Sequence, residues 1–179
     1  MSVRVKVYCE GTTPLLMSGE SSNYLGRKPF QEHRAAAKLY RDKEGGIIGI
    51  TRQTIWAALR QAVGSLENAA DQMIYIQEPF FPLVVEGDDN TWDAERAWVE
   101  DVRSYPSLRK GKTQWVARAR FDRWGFCFTA EINEPLMHLS AARELFRVAG
   151  EEIGLGGKYP SRGGGPHGRF KVKRWEVQG

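Results

Sequence analysis

The apolar residues of this 179-residue chain switch period twice, from two to about 3.6 and back, which limits the folds open to it. In "VRVKVY", Val3, Val5 and Val7 share one face and Arg4 and Lys6 the other, as in a half-buried strand. "RQTIWAALRQAV" and the residues after it put Ile55, Leu59, Ala62 and Leu66 at helical spacing, with Thr51 placed to cap the N-terminus. "MIYIQEPFFPLVV" is extended but carries Pro79 and Pro82, which suit an edge or bent strand. "TQWVARARF" and "GFCFTAEIN" alternate again, and the short "DRW" between them predicts a hairpin. Phe126, Phe128, Ala130 and Ile132 form one face of it, while Arg118 and Arg120 project together from the partner strand. Ser140 is placed to cap a second helix, "AARELFRVAGEEI", which Gly154 ends before the last strand, "RFKVKRWEV". Two strand–helix–strand units of this kind predict an α+β chain: a ferredoxin-like antiparallel sheet with helices on one face and loop insertions.

The length suits a single domain, 1–179, interrupted by a long loop at 18–46 and an acidic insertion at 86–111. Within them, "QEHRAAAKLYRD" and "DAERAWVEDV" each have the makings of a short helix. No apolar run is long enough for a membrane span, so no membrane partner is expected. The N-terminus lacks the apolar core of a secretory signal. Cys9 and Cys127 lie in strand-like runs without metal-ligand spacing, as expected of two buried thiols in a cytoplasmic protein.

The net charge is only +4, yet the charges are segregated. Residues 86–101 hold seven acids against one cation, Arg96. Residues 158–174 hold Lys158, Arg162, Arg169, Lys171, Lys173 and Arg174 with no acid. Arg103, Arg109, Lys110, Lys112, Arg118, Arg120 and Arg123 add a second basic region. Such segregation is the electrostatic footprint of a polyanion binder, although cations scattered over a solvated surface give the same count.

The basic C-terminal region coincides with "EEIGLGGKYPSRGGGPHGRFKVKRWEV", which holds seven glycines and two prolines. Glycine loses more backbone entropy on folding than any other residue, so such a cluster marks positive φ or close approach to a ligand. It is not a mononucleotide site. Gly163, Gly165 and Gly168 match GxGxxG, but a helix precedes and a strand follows, the reverse of what the motif requires. "GGKY" departs from a Walker loop at Glu152 and Tyr159. His33, His138 and His167 lack metal-ligand spacing, and no cofactor motif is present. His33 and Asp42, in the long loop, are the candidates for acid–base chemistry. Tyr24, Tyr159 and Trp175 lie beside cations and are the candidates for base stacking, whereas Trp56 and Trp115 read as core. In the last strand the alternation breaks after Lys173, moving Trp175 to the face of Lys171 through either a bulge or a frayed end.

"VRVKVYCEGTTPLLMSGE", "GGIIGITRQTIWAALRQAVG" and "EIGLGGKYPSRGGGPHGRFKV" together resemble three hallmarks of the RAMP superfamily. These are a first strand ending in "TPL" and an extended loop, a strand leading into a helix, and a helix meeting a glycine-rich loop before the last strand. Backbone subunits of CRISPR effector complexes belong to it. The helix start here lacks their Pro-Gly-Ser turn, and the chain is more similar to small phage-encoded relatives. The resemblance implies a ferredoxin-like core that binds single-stranded nucleic acid, RNA before DNA, and assembles as a homo-oligomer or with effector-complex subunits.

The expected function is therefore non-catalytic strand binding. Its residues would be Lys158, Arg162, Gly163, Gly164, His167, Arg169 and Lys171 around the glycine loop, with Arg118 and Arg120 on the sheet. The alternatives are a metal-independent RAMP-type endoribonuclease using His33 or Asp42, and a structural oligomer joined head-to-tail by its acidic and basic regions.

Overall fold

The computed structural model describes residues 2–17, 39, 41–42, 44, 46–64, 67–84, 94–106, 113–156 and 166–179. The fold is α+β, with antiparallel pairing throughout its named strands. The strands are β1 (Ser2–Gly11), β2 (Leu15–Met17), β3 (Gly49–Thr51), β4 (Ile74–Ile76), β5 (Phe80–Pro82), β6 (Trp98–Pro106), β7 (Thr113–Phe121), β8 (Gly125–Asn133) and β9 (Phe170–Gln178). The helices are α1 (Arg52–Val63), α2 (Glu67–Met73), α3 (Ala94–Ala97) and α4 (Leu139–Val148), which runs on as a π-helical turn, Ala149–Ile153. A four-stranded sheet has the order β4-β8-β1-β9, a three-stranded sheet β2-β7-β6, and β3 pairs with β5.

Alternation along β1 and β8 sends Val5, Val7, Phe126, Phe128, Ala130 and Ile132 to one face of the large sheet. They join Ile55, Ala58 and Leu59 of α1 and Ala142 and Phe146 of α4 in one cluster, so both helices cover that face. Aromatic rings run through it, Phe128 lying 5.4 Å from Phe81 and 5.5 Å from Phe146, centroid to centroid. Thr51 caps α1 as expected, its hydroxyl accepting from the Thr54 N–H at 3.3 Å. The cap of α4 is His138 rather than Ser140, and the helical run ends at Gly154 with φ of 78°. Pro79 breaks the extended run as expected, leaving β4 as a sheet edge and β5 free to pair with β3.

Three expectations need correction. β7 and β8 do not form a hairpin: β7 pairs with β2 and β6, and β8 with β1 and β4. The residues between them turn a corner that β1 and β2 turn alongside. Glu10 lies opposite Gly125 and Leu15 opposite Phe121, so five residue steps on one strand accompany four on the other. The hydrogen bonds of the corner explain why the chain does not fold back. The Gly11 N–H donates to the Trp124 carbonyl at 2.8 Å, and the buried Trp124 indole N–H donates to the Thr13 carbonyl at 2.7 Å. The second correction concerns the short helix expected over "DAERAWVEDV": only Ala94–Ala97 is helical, and from Trp98 the chain is β6, the antiparallel partner of β7.

Third, Trp175 does not share the face of Lys171. Tyr8 lies opposite Arg174 but Cys9 opposite Val172, so Lys173 is the extra residue of a β-bulge. The bulge turns Trp175 back toward the helices, where its ring lies 5.7 Å from that of Phe146. Of the two cysteines, Cys9 is buried and Cys127 is half-buried on the other face of the sheet. Among the described residues no helix is long and apolar enough to cross a membrane.

Phe128 is 2% exposed at the centre of the aromatic run, so Phe128→Ala should lower unfolding free energy by about 3–5 kcal/mol. Val177→Ala, at a position 57% exposed, should stay within about 0.5 kcal/mol of wild type in the same urea titration.

Candidate nucleic-acid interface

The corner that joins the two sheets also holds the ends of the glycine-rich segment. The Gly168 N–H donates to the Pro14 carbonyl at 2.8 Å, and the Arg169 N–H to the Thr13 hydroxyl at 2.9 Å. In return the Arg169 carbonyl accepts from the Thr12 N–H at 2.8 Å. The "TTP" of the first motif and the "HGR" of the last thus meet across more than 150 residues of sequence. A further bond, from the Leu155 N–H to the Gly168 carbonyl at 2.7 Å, ties the two ends of the loop together.

Two glycines make this collar possible. Gly168 has φ of 75° and lies so close to the Leu155 backbone that a Cβ would overlap the Leu155 carbonyl. Gly156 has φ of 90°, and a Cβ there would lie 2.5 Å from the Leu16 carbonyl oxygen. L-residues are disfavoured at such φ, so these glycines serve the backbone of the loop ends.

The expected binding residues are distributed unevenly around the collar. Lys158, Arg162, Gly163 and Gly164 lie outside the described residues, as do His33, Tyr24 and Tyr159. Arg169 stands in the collar itself, and its buried Nε has no hydrogen-bond partner among the described residues. His167 is only 8% exposed, so its ring belongs to the interior of the collar. Arg120 lies opposite Leu16 and thus beside the collar. Its guanidinium donates to Asp122 at 2.8 Å and to the buried Asp101 at 3.2 Å, and the hydrogen bond to Asp122, above all, raises its pKa further. Its neighbour Arg118 has Nε and Nη1 buried without a hydrogen-bond partner among the described residues. The acidic region therefore has an intramolecular use, with Asp101 neutralising Arg120.

The open face of the large sheet was less visible in the sequence. Arg4, Lys6 and Tyr8 alternate with the core valines, a pattern that marks them as exposed. The structure adds the Arg174 guanidinium 3.8 Å from the Tyr8 ring centroid, within cation–π range. Three cations here are paired, Lys171 with Glu10 at 3.2 Å, Arg4 with Glu131 at 3.0 Å and Arg174 with Glu176 at 3.0 Å, while the Lys6 ammonium lies 5.4 Å from the Tyr8 ring centroid. Arg4, followed by Gln77, holds the Glu131 carboxyl below the ordinary glutamate range.

Asp42, the described member of the acid–base pair, has a structural use. Its Oδ1 accepts from the Gly46 and Ile47 N–H groups at 2.9 and 3.1 Å, closing the turn before β3. Among the described residues, no three His, Cys, Asp or Glu side chains converge to hold a metal ion. No protein-family model matches the chain, and no curated protein matches it.

Gly168→Ala should destabilise the protein by at least about 1–2 kcal/mol in urea unfolding, because it combines positive φ with a backbone overlap. Gly46→Ala, where a Cβ meets nothing within 4 Å, should not. On the open face, NMR titration should find the Glu131 pKa below that of an ordinary glutamate, and Arg4→Ala should raise it. A depressed carboxylate favours folding fully above its unfolded pKa. That contribution disappears as pH falls through the folded value, so Arg4→Ala should make stability less sensitive to pH across that acidic window.

Proposed function

We propose that this protein is a non-catalytic binder of single-stranded nucleic acid, RNA in preference to DNA, that holds the strand's phosphates at the glycine-rich collar. The carrying observation is the closure of the loop ends: Leu155 bonded to Gly168, and Gly168 and Arg169 bonded to Pro14 and Thr13. Residues 157–165, with Lys158 and Arg162, are thereby inserted between two anchored points. Backbone N–H groups in a glycine-rich stretch bring dipoles close to phosphate oxygens, and arginine adds bidentate contacts. Arg169, whose backbone is bonded to Thr12 and Thr13 in the collar, would add its charge to the same anion.

Under this reading the fold is ferredoxin-like. The strand order β9-β1-β8-β4, with α1 between β1 and β4 and α4 between β8 and β9, supports it. So does the RAMP-like resemblance of the three motifs, two of which meet at the collar. A non-catalytic role accords with the use of Asp42 in its turn. Assembly along the strand, as copies of this chain or with effector-complex subunits, is part of the same proposal.

Replacing Lys158, Arg162 and Arg169 with Ala should weaken binding of single strands nearly uniformly across sequences. Each lost phosphate contact should reduce the slope of log affinity against log salt by about 0.7. Arg60→Ala, which removes a cation already paired with Asp71 at 2.9 Å, should leave the slope unchanged. Filter binding at several salt concentrations measures both, with a gel of the recovered strand to show that it stays intact. A folded triple variant with wild-type affinity and slope would remove the collar as the binding site.

A further inference from the structure

Among the strand edges that the sheets leave open, one differs from the rest. β2, β3, β4 and β5 are three residues each, too short to offer much of a ladder. β9 is long, but the bulge at Lys173 interrupts it, and Lys171 and Lys173 place ammonium groups along it. Short strands, bulges and lysines are the ordinary means of keeping a sheet edge from pairing with another chain. β6 has none of them. Its nine residues keep one unbroken register with β7, include no lysine and, among the described residues, take no strand on their outer side. Val99 and Val102, which alternation sends to opposite faces, are 44% and 43% exposed.

The sequence of β6 suits it to a second copy of itself. When a strand pairs antiparallel with its own copy about a twofold axis, the alternation of the ladder requires one residue to face its counterpart. Glu100, Asp101 or Arg103 in that place would set like charges against each other, which destabilises a cross-strand pair. Val102 would not. It is also the midpoint of Trp98–Pro106, so the register centred on it pairs all nine residues. In that register Asp101 of each copy takes the position opposite Arg103 of the other, and Val99 the position opposite Tyr105.

We propose that two copies of this chain join by antiparallel pairing of their β6 strands, with Val102 at the twofold axis. The three-stranded sheet of each copy then continues into that of the other. Backbone hydrogen bonds along the edge supply the attraction, and the opposite charges at positions 101 and 103 fix the register. The contact uses the same surface on both copies, so it closes at a dimer instead of growing into a fibre. It does not rest on the strand-binding reading, and its test uses protein freed of nucleic acid by nuclease.

Sedimentation of the full chain over a concentration series should show the mass rising from that of one chain to that of two. Val102→Lys sets two ammonium groups on the axis at an exposed edge position, so it should stay monomeric throughout and keep the wild-type urea midpoint. Arg103→Glu, which sets a carboxylate opposite Asp101, should lose the dimer as well and serves if Val102→Lys fails to fold. A short bifunctional thiol reagent reads the register, and Val102→Cys should be linked into a dimer by it. Val99→Cys, which this register places about 20 Å from its counterpart, should give no more linked dimer than wild type, whose thiols are Cys9 and Cys127. Wild type that remains monomeric at every concentration overturns the proposal, as does an assembly that the folded variants leave intact. Linking of Val99→Cys as strong as that of Val102→Cys overturns the register and the twofold pairing with it.

Discussion

Trp124 is the residue on which the architecture turns. At the point where two antiparallel strands must both leave one sheet for another, backbone donors and acceptors risk burial without partners, at a cost of roughly 1–3 kcal/mol each. Trp124 meets that demand with its carbonyl, which receives Gly11, and with its indole N–H, which reaches Thr13. Thr13 in turn offers its hydroxyl to Arg169, and Pro14 its carbonyl to Gly168. The bend of the sheet and the anchoring of the glycine-rich segment are consequences of the same set of bonds. The 2%-exposed indole also sets its ring against Phe126 and Phe170, joining the corner to the core.

Electrostatics divides the cations that a bare count treats alike. Arg120, Arg4 and Lys171 each have a carboxylate at 2.8–3.2 Å. A strand phosphate would compete with those carboxylates, and exposed pairs of this sort contribute about 0–1 kcal/mol to stability. Arg169 and Arg118 differ, because they present buried N–H groups without acceptors among the described residues.

The large sheet and its two helices were legible because burial on one side imprints a clean period on Val3–Val7, Phe126–Ile132 and Ile55–Leu59. The corner was not, since "DRW" has the length of a hairpin turn and only the presence of an apolar Trp argued otherwise. β6 was hidden by its acids: Glu100 and Asp101 interrupt the alternation of Trp98, Val99 and Val102. Burial of Asp101 depends on Arg120, a long-range pairing that no local pattern announces. The bulge at Lys173 was visible as a broken alternation, but only pairing with β1 decides which face Trp175 takes. At the candidate site, sequence marked the glycines and the cations. It did not show that Thr13 and Pro14 would hold them.

The central claim, that a nucleic-acid strand lies across the collar and the corner beneath it, is tested most directly by photo-crosslinking. A single-stranded RNA carrying a photoreactive base would be bound, irradiated and digested, and the attached peptides mapped by mass spectrometry. A strand bound as proposed should crosslink within residues 157–171 and at Thr12, Thr13 and Pro14 of the corner. Crosslinks confined to the outer surfaces of α1 and α4, or none at saturating strand, would contradict it.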